Sequence, residues 1–490
     1  MAHTNPSRST AFNTLPIELN KWIAHQLDDH KDIASFKAVC RATCYAIDGD
    51  HFSFWRAKFC EDFARPPGKT NQELRDEYMK RWKWLRRFVN LKKSPMYQFV
   101  RGRTFAEKEI VEVLTALIKE SFASSVQSDD GSRPHCLNMV RLKEFVLESS
   151  ILLGGRRPPQ PMLGEPGEVH PNLAAVKLML SHFLFDEEVP TRSWFAIDDA
   201  QKAVYSATNI ERLFEGRWKN LLNWPWFLHC MNFFRQYMTT AEASGLHAMI
   251  QGLRPSQKPV PWDGPLKRGS APLPTRWIGT YALMTREMLT RFRTKNSLGR
   301  HHHIYYDDLN VDEGNTQTLN LEFLTEEQQN KLTWPEMFES RLHARRDLDP
   351  DAAKARAQHR EKYPYDTSED APSIRFDGWG EEGDLDYFAT GWLNPLPDQC
   401  GIPGFQRVTF MKHPYEDLNN VHQDGLWAYE GVVLPGGKIM IGRWWEATSD
   451  NINYNDDYSG PFIFWAVDPS DEDEEEELDK PAYDEEWDDE

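Results

Sequence analysis

The first sixty residues contain short stretches in which apolar side chains recur every three or four positions. Leu19, Ile23 and Leu27 repeat every four residues, which is the spacing of one face of an α-helix. Pro16 fits a first helical turn, because the N–H group that proline lacks would be unpaired there. Two further stripes follow: Ile33, Phe36, Val39 and Cys40, and then Phe52, Trp55, Phe59 and Phe63. The pattern predicts three short amphipathic helices within residues 14–63, with Asp32 beginning the second.

A unit of about fifty residues buries little apolar surface on its own. Three such helices therefore need a partner or a neighbouring domain to cover their apolar faces. Residues 1–13, which precede them, are polar, and we expect them to be disordered.

The apolar spacing remains mostly helical over residues 72–253. The run at Ile110, Val113, Leu114, Leu117 and Ile118 follows the spacing that buries one face of a helix. A segment rich in proline and glycine, residues 254–274, then predicts a linker.

Residues 275–467 change to a strand pattern. Leu319, Leu321 and Phe323 alternate strictly with polar neighbours, which is typical of a half-buried strand. Further strands are predicted around residues 277–283, 405–411, 427–434, 439–445 and 461–467, with Leu434-Pro-Gly-Gly-Lys as a hairpin turn. Glycines inside two strands, Gly279 and Gly442, indicate bends or close backbone approach, as at a barrel corner. A charged helix is predicted over about 334–362.

The predicted fold class is therefore α+β. A three-helix N-terminal unit and a helical middle region come before a C-terminal β-rich domain, for which a barrel is one possible form. The composition agrees with several folded units. Of the 490 residues, 40% are hydrophobic, which suffices for two or three folded units.

The formal net charge of −19 is concentrated at the C-terminal end. Residues 468–490 hold fifteen acidic side chains and one lysine. Such a segment cannot bury enough apolar area to fold, so we expect it to be disordered. A solubilising tail and a docking site for a basic partner both remain open. The rest of the chain is only mildly acidic and lacks the basic face of a nucleic-acid binder.

Six cysteines in a chain of this length are few, and they indicate free thiols in a reducing compartment. The N-terminal residues lack the apolar core of a secretory signal, and no apolar run reaches the roughly 20 residues of a membrane span. We therefore expect a cytoplasmic or nuclear protein that does not bind membranes.

The N-terminal stripes carry a resemblance to a known family. The order Leu15-Pro16-Ile17-Glu18-Leu19, Ile23, Leu27, Val39-Cys40-Arg41 and Trp55-Arg56 is similar to that of the F-box. The match covers roughly residues 14–60, about a tenth of the chain. It departs from the family at Cys44 and Tyr45, where many members carry tryptophan or arginine.

The F-box resemblance implies binding and no catalysis. F-box proteins insert this module into the Skp adaptor of a cullin–RING ubiquitin ligase, and the rest of the chain holds a protein substrate. Carried over to this sequence, the candidate adaptor contacts are Leu15, Pro16, Ile17, Leu19, Ile23 and Val39. For each of them, packing within the module is the competing interpretation, and Trp55 is expected to be internal core.

The β-rich domain is the candidate substrate-recognition domain. Its glycine and tryptophan motifs resemble the C-terminal half of many fungal F-box proteins and, faintly, the β-barrel substrate domains of some animal F-box proteins. Trp427, Arg443, Trp444 and Trp445 are candidate substrate contacts, because aromatic and arginine side chains suit recognition. Tryptophans at strand spacing are also common in cores, and that alternative stays open.

Metal, cofactor and catalytic signals are weak. His301-His302-His303 lacks accompanying carboxylates or cysteines, and adjacent strand residues point to opposite faces, so no metal site and no cofactor is predicted. No phosphate loop, nucleophile elbow or His-Glu-x-x-His motif occurs. The leading hypothesis is a substrate adaptor of a ubiquitin ligase, without an active site of its own. The alternatives are an F-box scaffold outside ubiquitination and a ligand-binding or enzymatic β domain.

Overall fold

The computed structural model describes most of the folded chain in detail. The described residues are 11–27, 29–90, 100–123, 135–149, 170–185, 197–206, 213–216, 220–240, 245–297, 306, 308–325, 327–328, 335–342, 373–422, 424–447 and 458–468. Residues 1–10, the histidine run at 301–303, most of the charged segment at 334–362 and the acidic tail from 469 onward lie outside them. The predictions made for those segments stay predictions. Residues 11–13, which were expected to be disordered together with 1–10, instead form a short 3₁₀ helix, Ala11–Asn13.

The chain divides into two compact units. The first contains residues 1–180 with 263–266 and 400–402, and the second contains residues 181–262, 267–399 and 403–490. The sequence pattern places 72–253 in one helical region, whereas the structure groups its part beyond residue 180 with the β-rich domain.

The first unit is helical in its described parts. Its helices are α1 (Ile17–His25), α2 (His30–Lys37), α3 (Arg41–Asp48), α4 (Ser53–Asp62), α5 (Asn71–Asn90), α6 (Val100–Lys119), α7 (Leu137–Glu148) and α8 (Pro171–Leu180). Residues 17–62 thus form four short helices where three are predicted. Helix α3 was missed because it buries only Thr43, Ala46 and Ile47, which form no stripe of large apolar residues.

The start of α2 also differs from the prediction. Asp29, and not Asp32, caps this helix, because its carboxylate accepts the backbone N–H of Lys31 at 2.8 Å. Asp32 lies in the first turn, where a negative charge interacts favourably with the helix dipole.

Aromatic side chains join α4 to α5. The ring centroids of Trp55 and Tyr78 are 5.6 Å apart, and those of Phe63 and Tyr78 are 6.0 Å apart. Arg81 is buried and places its guanidinium 4.9 Å from the Phe59 ring centroid. Helix α5 therefore covers the apolar face of α4, which the first four helices could not bury by themselves.

The second unit begins with helices and ends in a barrel. Its helices are α9 (Ile197–Tyr205), α10 (Trp224–Thr239), α11 (Gly245–Gly252), α12 (Arg286–Ser297), α13 (Leu309–Glu313) and α14 (Glu336–Arg341). Its strands are β1 (Phe214–Glu215), β2 (Leu221–Leu222), β3 (Arg276–Tyr281), β4 (Gln317–Phe323), β5 (Ile374–Glu382), β6 (Leu385–Pro395), β7 (Gln406–His413), β8 (Trp427–Val433), β9 (Ile439–Glu446) and β10 (Ser459–Ala466).

Strands β3 to β10 close into an antiparallel barrel in the order β10-β3-β4-β5-β6-β7-β8-β9. The predicted α+β class is confirmed, and the β-rich domain takes the barrel form. Each of the six predicted strand segments is a barrel strand. The Leu434-Pro-Gly-Gly-Lys turn joins β8 to β9, with Gly436 and Gly437 at φ +92° and +69°, where glycine is favoured.

The barrel interior is packed with alternate residues of every strand. Its buried core includes Trp277, Leu319, Leu321, Phe376, Leu393, Val408, Phe410, Tyr429, Met440, Trp444, Phe462 and Phe464. Gly442 pairs with Gly431 across β8 and β9, and a Cβ at Gly442 would lie 2.2 Å from the Glu430 carbonyl oxygen. The predicted close backbone approach at this glycine is confirmed.

Much of the outer barrel surface is also buried. Helix α10 packs on β9 and β10, and the Cys230 thiol lies 3.9 Å from the Gly442 carbonyl oxygen. On another sector, Phe338 of α14 packs with Met411, Ala428 and Trp445. These covered sectors decide which barrel side chains remain open to a partner.

Candidate functional site

The first candidate surface lies on α1. Its inward face carries Asn20 and Ala24, both fully buried, and the Asn20 amide donates to the Phe12 carbonyl oxygen at 3.1 Å. On the opposite face, Leu19 is 47% exposed and Trp22 is 63% exposed. Large apolar side chains left this open on a helix are typical of a surface that a partner covers.

The predicted adaptor contacts fall into two groups in the structure. Pro16, Leu19 and Val39 are exposed, whereas Leu15, Ile17 and Ile23 are half-buried. Val39 follows the end of α2, whose inward residues Ile33 and Phe36 are buried. We use the name α1 ridge for Pro16, Leu19, Trp22 and Ile23. Sequence reasoning missed Trp22, although its position three residues after Leu19 is a signal that it shares that face.

Trp55 is internal, as expected. Its indole N–H donates to Asp48 at 3.0 Å, and Asp48 also pairs with Lys37 of α2. Burial by itself raises the pKa of Asp48, but the hydrogen bonds from Lys37 and Trp55 outweigh it and lower that pKa. This network links α2, α3 and α4, and it fixes the framework that presents the α1 ridge.

The second candidate surface is one mouth of the barrel. Strands β3, β5, β7 and β9 end at this mouth, where β4, β6, β8 and β10 begin, because all neighbouring pairs are antiparallel. We use the name polar mouth for the side chains that line it: Tyr281, Gln317, Glu382, Lys412, Trp427 and Tyr458.

Lys412 and Glu382 form the charged centre of the polar mouth. The Lys412 ammonium pairs with Glu382 and donates to the Gln317 amide oxygen at 2.9 Å. Tyr281 donates its hydroxyl proton to Glu382. Burial lowers the pKa of Lys412, and Glu382 opposes that effect. Lys412 is buried and the Glu382 side chain is 30% exposed, so the two form a partly buried ion pair with polar neighbours, and loss of either partner would leave the other charge without its counter-ion.

Aromatic rings surround this charged pair on the β8–β10 side. The ring centroids of Trp427 and Trp444 are 5.5 Å apart, and Tyr458 lies 5.5 Å from Trp444. Arg286 places its guanidinium 4.7 Å from the Tyr458 ring centroid and pairs with Glu446. The rim therefore offers aromatic faces next to charges of both signs.

The structure separates the four predicted substrate contacts. Trp427 is half-buried at the polar mouth, and Trp444 points into the barrel, where its indole N–H donates to the Ala282 carbonyl oxygen at 3.1 Å. Arg443 and Trp445 are each 1% exposed on the outer face of β9. Their burial counts against these two residues as substrate contacts, because the segments that cover the outer wall, such as α14 against Trp445, would have to move before either side chain could reach a substrate.

Sequence reasoning missed most of the mouth. Lys412 and Glu382 lie on separate strands, and the chain pattern alone gives no reason to bring them together. Strand alternation would have indicated that Trp427 and Tyr429 share the inner face of β8. It could not have shown which end of the barrel stays polar.

Comparison of this chain with protein-family models, with curated proteins and with solved structures found no match. Within the described residues, no helix is both long and apolar enough to cross a membrane. The described part of the chain also holds no group of three or more metal-binding side chains. The six cysteines are free thiols.

Proposed function

We propose that this protein is a substrate adaptor of a Skp–cullin–F-box ubiquitin ligase, with the α1 ridge as its Skp-binding surface. The observation that carries the proposal is the exposure of Leu19 and Trp22 on a small helical module whose sequence resembles the F-box. An adaptor that covered these side chains would remove their apolar area from water, at about 25 cal/mol per Å².

The arrangement of the module supports this role. The inward faces of the module are packed against α5 and joined by the Asp48 hydrogen bonds. The α1 ridge is therefore not needed for packing within its own unit. A few aromatic and aliphatic anchors on a rigid base are the usual source of affinity at a protein interface. In this proposal the ridge supplies those anchors.

The barrel is the proposed substrate-holding domain. Its polar mouth combines tryptophan and tyrosine faces with charged groups, a mixture that is enriched where proteins recognise one another. No chemistry is assigned to this chain, because in such a ligase the ubiquitin transfer belongs to the partner subunits.

The test compares the purified full chain with the double variant Leu19→Ala/Trp22→Ala. Binding to purified Skp adaptor is measured by isothermal titration calorimetry. We expect the variant to lose about 2–4 kcal/mol of binding free energy, which is roughly 30- to 1,000-fold in affinity. Leu19 is 47% and Trp22 63% exposed, so much of their area is in water already and the free energy of unfolding should change by about 1 kcal/mol.

A matched control is Val140→Ala on α7, since Val140 is 39% exposed in the same unit but is not part of the ridge. The control should bind the adaptor as the unmodified chain does. Equal affinity for all three proteins, or no binding by the unmodified chain, would remove the ridge assignment.

A further inference from the structure

The outer surface of the barrel is covered unevenly. Strands β7 and β10 are buried along their whole length on both faces, and the described residues of β8 and β9 are buried except at one end. On β4, on β5 from Asp377 onward and at the start of β6, the outward residues are half-buried or exposed, whereas Arg375 near the beginning of β5 is buried. This sector is the part of the described barrel wall that faces solvent.

The exposed sector carries carboxylates in directly paired positions. We define the acidic face as Glu322, Asp377, Trp379, Glu381 and Asp386. The strand register places Glu322 opposite Asp377, and Glu381 opposite Asp386. Each pair therefore holds two carboxylates on neighbouring strands within about 5.5 Å between Cα atoms.

Like charges placed directly opposite each other destabilise a sheet. Burial raises the pKa of Asp377, Arg375 and a hydrogen bond from Thr390 oppose that rise, and the neighbouring charge of Glu322 adds a smaller increase. Among the described residues, the cation paired with this face is Arg375, which lies 3.8 Å from Asp377 and is buried in the wall. Counting only the residues that the structure describes, the face thus keeps a surplus of negative charge.

A tryptophan stands in the middle of these carboxylates. Trp379 lies between Asp377 and Glu381 on β5, it is paired across the sheet with Asn320 and Phe388, and it is 49% exposed. At the adjoining hairpin tip, Leu385 is 73% exposed. An exposed indole flanked by carboxylates is the chemistry that binds a guanidinium, through its ring face and through charge-assisted hydrogen bonds.

We propose that the acidic face binds a basic, extended segment of the ligase substrate, with an arginine side chain on Trp379 and neighbouring cations on the paired carboxylates. The inference rests on the proposed function, since it names the class of substrate. A closed barrel offers no free strand edge at this wall, so recognition must come from side chains instead of strand addition.

The occupant follows from charge complementarity. In an extended segment, every second side chain points to the same side, about 6.6 Å apart. Arginines at alternate positions can therefore meet carboxylates on successive strands while one of them stacks on the indole. An acidic or neutral segment would add repulsion, or leave the carboxylates without partners.

The test uses the full chain and a fluorescein-labelled peptide that alternates arginine and threonine. Binding is measured by fluorescence anisotropy at about 0.05 M and about 0.5 M salt, because exposed charges are screened at the higher value. We expect saturable binding that weakens with salt. A peptide that alternates glutamate and threonine should not bind.

Two variants locate the site. Glu381→Gln/Asp386→Asn should weaken arginine-peptide binding by roughly five- to tenfold, and Trp379→Ala by roughly two- to fivefold. The charge variant removes a repulsive pair, so it should fold at least as well as the unmodified chain. Glu287→Gln/Glu313→Gln, which removes two exposed carboxylates outside the face, is the matched control and should bind within about twofold of the unmodified chain.

The proposal is overturned if the unmodified chain does not bind the arginine peptide, or if the face variants and the control lose affinity equally. Skp-adaptor binding is measured on the same preparations. If the unmodified chain does not bind the Skp adaptor, that result would count against the proposed function. Intact adaptor binding without peptide binding would count against the acidic face alone.

Discussion

In a group of buried charged side chains on the outer barrel wall, two substitutions should have unequal effects on stability. Arg407 of β7 pairs with Glu430 of β8, and both side chains are almost fully buried. The β8–β9 register places Arg443, which is also buried, directly opposite Glu430. Glu430 therefore pairs with one guanidinium and has a second buried arginine opposite it in the strand register, whereas Arg407 also rests on the Phe214 ring at 4.8 Å.

Removing Glu430 should cost more than removing Arg407. In Glu430→Gln, the buried Arg407 guanidinium loses the carboxylate it pairs with, and Arg443 then faces a neutral amide in the strand register, a change expected to cost about 3–5 kcal/mol of the free energy of unfolding. In Arg407→Met, the positive charge of Arg443 remains opposite Glu430 in the strand register, and the apolar side chain fills part of the space. We expect that cost to be about 1–2 kcal/mol.

Chemical denaturation followed by tryptophan fluorescence gives the free energy of unfolding of both variants. The barrel transition is read separately from that of the first unit. For a unit of this size, the larger loss lowers the melting temperature by roughly 6–15 °C. Equal costs for the two variants, or a larger cost for Arg407→Met, would refute the idea that the charge of Arg443 compensates Glu430 when Arg407 is removed.

Three further predictions concern the two units. Gly442→Ala should cost about 1–3 kcal/mol, because the added Cβ meets Phe462 and a strand carbonyl; a neutral result in denaturant titrations would contradict the close β8–β9 approach. Phe59→Ala should cost about 3–5 kcal/mol in the first unit, since Phe59 is fully buried, and a cost below 1 kcal/mol by circular dichroism would contradict its packing on α5. Burial raises the pKa of Asp308 to about 7, so its contribution to stability is full below about pH 4 and is lost as the pH rises through 7. Asp308→Asn should flatten that pH dependence in urea titrations between pH 4 and 8, and an unchanged profile would contradict it.

The local pattern was sufficient to predict most barrel strands. Leu319, Leu321 and Phe323 alternate with polar residues because only one face of β4 is buried, so the period of two is visible in the sequence. On β9 every residue but the last is buried, and the alternation disappears. The sequence therefore could not distinguish the inward Trp444 from the outward Arg443 and Trp445.

What covers the outer wall depends on distant parts of the chain. The contact between Cys230 and β9 joins residues more than two hundred positions apart, and no local sequence pattern predicts it. Similarly, α3 was missed because its inward side chains, Thr43, Ala46 and Ile47, form no stripe of large apolar residues. In the α1 ridge, by contrast, the four-residue apolar spacing was visible, but spacing alone does not show whether Leu19 faces a core or a partner. The structure makes that distinction, because it shows Leu19 to be 47% exposed.

Quantitative mass spectrometry of the proteins retained by the tagged chain tests the proposed ligase-adaptor role most directly. It is compared with the variant Leu15→Ala/Pro16→Ala, which alters the start of α1. We expect the unmodified chain to retain the Skp adaptor together with a cullin and a RING subunit, and the variant to lose all three while its barrel stays folded. Recovery of none of them with the unmodified chain, or equal recovery with both proteins, would contradict it.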